Sequence, residues 1–187
     1  MNRRNFITKA SATAALITIE ESKSETNIPK IPKNNLKILA TNWGWERSLD
    51  ELCAKIKKAG YDGLEYWWPT VEKDRTELFA AIKKYNLEIG FLCGGSSKNH
   101  NEHLADFKKS LTAAATNTIQ KPLYINCHSG RDYFTYEQNK AFIDLTAETS
   151  LKTGVPIYHE THRSRMLFAA HIKGQRHISG KSSTKML

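Results

Sequence analysis

From Leu36 onward the chain alternates between two kinds of segment, and that alternation restricts its fold more than any other feature. Short apolar runs lie near 36–41 (LKILAT), 62–67 (DGLEYW), 87–92 (LEIGFL), 122–127 (PLYINC) and 155–159 (VPIYH). They have the length of strands. Longer segments between them carry apolar residues at helical spacing: Leu49, Leu52, Cys53, Ile56 and Ala59 in 47–59, then Leu78, Phe79, Ile82 and Tyr85 in 73–85. Leu104, Phe107, Leu111 and Ala114 in 103–118, and Phe142, Leu145 and Leu151 in 136–151, extend the series. A stripe at that spacing buries one side of a helix. Ser48 three residues before Glu51 has capping-box spacing, and Gly60 and Gly154 stand where a left-handed residue closes a helix. Strand and helix alternating every 25–35 residues imply an α/β fold with a parallel sheet and right-handed crossovers. Periodicity alone leaves both a doubly wound sheet and a (β/α)₈ barrel open. Thr41-Asn42-Trp43-Gly44-Trp45 follows the first strand where a dinucleotide fold would place a Gly-rich turn, which disfavours that fold.

Charge restricts the partners. The chain of 187 residues carries a net +9. Residues 1–33 hold six basic and three acidic residues, residues 172–187 four basic and none acidic, and residues 34–171 eighteen basic against sixteen acidic. A duplex-binding protein concentrates its excess on the folded body, so no nucleic-acid partner is expected. No apolar run reaches the roughly 18 residues of a membrane span. Cys53, Cys93 and Cys127 have neither zinc nor disulfide spacing and are expected to be buried as small hydrophobes.

The first residues, Asn2-Arg3-Arg4-Asn5-Phe6-Ile7-Thr8-Lys9, resemble a twin-arginine export signal, and a mildly apolar run from Ala10 to Ile19 follows. The resemblance implies export to the periplasm. The alternative is a disordered basic terminus on a cytoplasmic protein. The expected organisation is a leader and linker at 1–35, an α/β body at 36–171 and a basic tail at 172–187.

In (β/α)₈ barrels chemistry sits at the C-terminal ends of strands. The first two ends hold all four tryptophans, Trp43, Trp45, Trp67 and Trp68. Aromatic walls with a few polar groups suit a sugar, although core filling or subunit contact would also explain them. Glu65 lies inside an apolar strand, where a carboxylate needs a partner. Either a substrate contact or a buried ion pair would serve. His128 is a candidate ligand, proton carrier or loop hydrogen-bonder, and His100 and His103, on a polar helix start, are expected to be solvated. Glu160, flanked by His159 and His162, has ligand types for a divalent metal. Neighbours on a strand face opposite ways, so Glu160 and His162 share a face and His159 points toward the helices as a structural residue.

Gly60-Tyr61-Asp62-Gly63-Leu64-Glu65, Asn126-Cys127-His128-Ser129-Gly130-Arg131-Asp132 and His159-Glu160-Thr161-His162-Arg163 together resemble the sugar phosphate isomerase/epimerase group, the xylose-isomerase-like TIM barrels. The similarity runs from about residue 36 to about residue 171. It implies a partial (β/α)₈ barrel of about five units and a sugar or sugar phosphate substrate. It also implies a divalent metal (Mn, Mg or Zn) held by Glu160, which would take part in proton transfer. Trp43, Trp45, Glu65, Trp67, Trp68, His128, His162 and Arg163 form the candidate substrate-binding set. The family's later ligands, an acid on strand six, a His near strand seven and a Glu on strand eight, have no counterpart. A fifth helix is expected from Ser164, and the stretch from Lys173 to Lys185 loses all apolar period. That loss suggests a truncated or frameshifted barrel, incomplete and inactive alone, or a natural short form whose tail binds a partner. An open arc would leave strand edges and an apolar interior bare and favour self-association. An endonuclease-like hydrolase and a non-catalytic sugar-binding module are the alternatives.

Overall fold

The computed structural model describes residues 36–168. Five strands, β1 (Leu39–Thr41), β2 (Gly63–Trp67), β3 (Glu88–Gly94), β4 (Ile125–His128) and β5 (Ile157–His159), alternate with four helices. These are α1 (Leu49–Lys58), α2 (Glu72–Lys84), α3 (His100–Ala115) and α4 (Tyr136–Thr153). All four strand pairs are parallel, and the spatial order repeats the chain order. The described residues are therefore α/β with one all-parallel sheet, as the alternation predicts. The leader, linker and basic tail lie outside the described residues. No described helix is long and apolar enough to cross a membrane.

Local chemistry sets the helix ends. Ser48 Oγ accepts from Glu51 N at 3.3 Å and opens α1. Asn99 accepts from the amides of Asn101 and Glu102, so α3 starts at His100, three residues before the expected start. Thr135 and Gln138 form a complete capping box on α4, an arrangement worth about 1 kcal/mol. Gly154 closes α4 at φ 63° and Gly60 follows α1 at φ 83°.

Strand register sorts side chains onto two faces. Ala40, Leu64 and Ile89 stand side by side, as do Tyr66, Phe91, Ile125 and Ile157, and Cys93, Cys127 and His159. This face packs against the helices, and Leu64, Ile89, Phe91 and Ile125 share one core with Leu52, Ile56, Leu78, Ile82, Phe107, Leu111 and Phe142. Phe91 meets Trp68 and Phe79 edge-on at 5.0 and 6.2 Å, and its truncation to Ala would cost about 3–5 kcal/mol. The three cysteines lie free and buried in this layer, and burial pushes the Cys53 and Cys93 thiols up to about 11 and about 12. They pack as small hydrophobes, as expected.

The structure departs from the sequence expectations in five places. His103 is fully buried rather than solvated: its Nδ1–H donates to Ser97 O at 2.9 Å and its ring sits edge-on to Phe134 and Phe142. His100 is half-buried over the same two rings. Leu151 is 84% exposed; nine residues beyond Phe142, it lies about half a turn round the helix from the buried stripe. Residues 163–168 form successive i→i+3 turns instead of the start of a fifth helix, with Ser164 in the left-handed region at φ 63°. Lastly, the second face of the sheet is not a bare apolar wall. It carries Glu65, Trp67, Asn126, His128 and Tyr158 alongside Leu92.

Candidate functional site

The polar face converges on Glu160. Strand alternation continues past β5: the Glu160 amide donates to Cys127 O at 3.1 Å, so the carboxylate turns to the face of Asn126 and His128. Its Oε2 accepts from Asn126 Nδ2 at 3.2 Å and contacts His128 Nε2. His128 is buried, with Trp67 edge-on at 5.0 Å and His162 tilted over it at 4.8 Å between ring centroids. Burial holds the His128 imidazole below its ordinary value and outweighs the opposing pull of Glu160; the neighbouring His162 and Arg165 add to the lowering. A neutral His128 therefore donates its Nε2 proton to Glu160, the arrangement of a carboxylate with a proton carrier at hand.

A second polar pair lies lower on the same face. Glu65 Oε1 accepts from the Tyr124 hydroxyl at 3.0 Å, so its protein partner is a phenol rather than the cation of a buried ion pair. Gly90, in register with Glu65, makes this possible: a Cβ there would come 2.8 Å from the Tyr124 ring. Burial pushes the Tyr124 hydroxyl up, and Glu65 adds to it. Sequence reading missed Tyr124. Its one signal was its place two residues before Asn126 and four before His128, on the same side of the strand.

The remaining candidates are spread out. Trp67 is the tryptophan that joins the Glu160 group. Trp68 points the opposite way into the core under Arg75. Trp45 packs under Lys55 and donates from Nε1 to Ser48 O at 3.2 Å. Trp43 is 65% exposed. Arg163 is exposed, and its carbonyl bonds His162 Nδ1. On the helix side, His159 is held by two hydroxyls, Ser129 Oγ at 2.6 Å and Thr146 Oγ1 at 2.8 Å. Thr146 gives its own proton to Ile143 O, so His159 Nε2–H donates to Thr146 and Ser129 O–H donates to His159 Nδ1. That is the fixed, structural histidine the strand alternation predicts, and burial holds it neutral down to about 4.

Carboxylate oxygen and imidazole nitrogen are donor types that suit Mn or Zn. Among the described residues no group of three or more His, Cys, Asp or Glu side chains is placed to hold a metal ion. Glu160 and His128 thus provide donors of the right kind but an incomplete set.

No family model, no curated protein and no solved structure matches the chain.

Proposed function

We propose that the polar face of the sheet is the substrate face of a sugar isomerase- or epimerase-type protein, and that the five strands are the first five units of a (β/α)₈ barrel. The contact between Glu160 and His128 at the ends of adjacent strands carries the reading. The sequential strand order, with no reversal among the described strands, supports the barrel. In this reading Glu160 binds a divalent metal and moves a proton between carbons of a bound sugar, while His128 and Asn126 hold its carboxylate in place. The metal, when bound, would polarise the sugar's carbonyl and hydroxyl oxygens. Trp67, 36% exposed on the same face, offers a ring for the sugar's C–H side. Residues 36–168 supply a partial ligand set, so turnover by this stretch alone is not expected.

Exposed Trp67 and Tyr158 on that face favour a second reading, a sugar-binding surface that works without metal. Calorimetric titration with Mn²⁺, Mg²⁺ and Zn²⁺, with Glu160→Gln as control, separates the two. The enzyme-type reading expects saturable metal binding that Glu160→Gln weakens at least tenfold, about 1.4 kcal/mol. Equal metal affinity in both proteins would sink the ligand assignment, and sugar binding without metal would favour the second reading.

A further inference from the structure

A cleft of about 920 Å³ opens beside the Glu160 site and shares Trp67 and Gly94 with it. Its charge is one-sided. Arg75, Lys109, Arg131 and Arg165 line it, against the single carboxylate of Asp106. Arg75 is already engaged, donating to Pro69 O and Thr70 O. Arg131 and Arg165 are different. They anchor on consecutive carbonyls, Arg131 Nη2 on Ser96 O at 3.0 Å and Arg165 Nη1 on Gly95 O at 3.4 Å. Among the described residues neither has a carboxylate within ion-pair distance, and Arg131 Nε is buried with no hydrogen-bond partner.

The packing forces these two like charges together. Asn139, fully buried, accepts from Arg131 N at 3.2 Å and donates to Arg131 O and Phe134 O at 2.9 and 3.1 Å. Gly130, at φ 63°, sits against Asn139 and against Met166, which is 2% exposed. The loop after β4 is thereby locked to the turn that carries Arg165. Burial and the charge of Arg131 both pull the Arg165 guanidinium down from its ordinary value. Two half-buried guanidinium groups without a counter-ion are costly, and an anion between them removes the cost. Paired arginine forks suit the oxygens of a tetrahedral phosphate.

We propose that Arg131 and Arg165 form a binding site for a phosphate group, next to the Glu160 site and placed to hold the phosphoryl end of a phosphorylated sugar. The sugar half of this statement rests on the function proposed above; the phosphate half does not. The full chain is titrated with inorganic phosphate, glucose 6-phosphate and glucose, with chloride at matched ionic strength as the blank, and thermal melts are recorded in parallel. Saturable phosphate binding is expected, with a raised melting temperature and at least about tenfold weaker affinity in Arg131→Gln and in Arg165→Gln. Circular dichroism of each variant checks its fold, and the wild-type titration tests the site even if a variant misfolds. Failure of the wild type to bind phosphate saturably, or folded variants that bind as tightly as wild type, would overturn the site. Glucose 6-phosphate binding no tighter than inorganic phosphate would overturn the ester and leave a free-anion site. Glu160→Gln should leave phosphate binding intact while weakening Mn²⁺, so loss of the sugar reading and loss of the phosphate site are told apart.

Discussion

Lowering the pH should unfold this protein earlier than its surface charges alone would require, and His159 should be a main cause. Its ordinary value of 6.5 falls to about 4 in the folded chain because the ring is desolvated. The two hydroxyls around it satisfy the neutral ring, with Thr146 taking the Nε2 proton and Ser129 donating to Nδ1. An unfolded chain binds a proton at this site below about 6.5, and the folded chain does not until about 4. The stability is therefore complete above the unfolded value and drains away as pH falls through that window. At about 1.4 kcal/mol per pH decade, the loss approaches roughly 3 kcal/mol. That is a large share of the roughly 5–15 kcal/mol that holds a typical domain folded. His103 and His128 are also held low by burial and act in the same direction. The clean measurement is therefore a difference. Guanidinium unfolding of wild type and His159→Gln is followed at intervals from pH 7 to pH 4. The wild type should be the more stable at pH 7, and the gap should close by roughly 3 kcal/mol on reaching pH 4. A gap that stays constant across the window would show that His159 is not buried as a neutral ring, and the reasoning would fail.

Gly130→Ala should destabilise by about 2–4 kcal/mol in the same assay, since it combines a left-handed residue with a Cβ driven into Asn139; a loss under 1 kcal/mol would contradict the packing. Tyr124→Phe removes the phenol donor of Glu65 and should cost about 1–3 kcal/mol in the same assay, with an unchanged stability refuting the bond. Among the described residues β1 and β5 each pair with one strand only, so sedimentation of the purified chain should show self-association that rises with concentration. A monomer across the concentration range would refute that reading.

The architecture was readable in the sequence because strand length and helical period are local properties. All five strands and four helices fall where the apolar pattern puts them, with ends shifted by a few residues where a cap such as Asn99 intervenes. The burial of His103 went against the sequence expectation. The residue stands four residues before Phe107 and eight before Leu111, on the stripe that fills the core, but its polarity argued against burial until Ser97 O was available as a partner. The pairing of Glu160 with His128 follows from strand alternation plus the parallel register of β4 and β5. The meeting of Tyr124 with Glu65 does not, because it depends on the space left by Gly90 on a third strand. Arg131 and Arg165 lie far apart in the chain, and the packing of Met166 on Gly130, with their anchors on Ser96 O and Gly95 O, brings them together.

The division of the sheet into two faces has a consequence for how the protein tolerates change. Every strand sends alternate residues to opposite sides, one set to the helices and the other to the polar face. Substitutions at Glu65, Asn126 or Glu160 can therefore remodel the polar face, and any recognition proposed for it, while the foldable layer beneath stays intact. Inserting one residue within β3 would do the reverse, exchanging both sets from that point on and abolishing folding and recognition in a single step. Drift in this chain should be free in letter and strict in length.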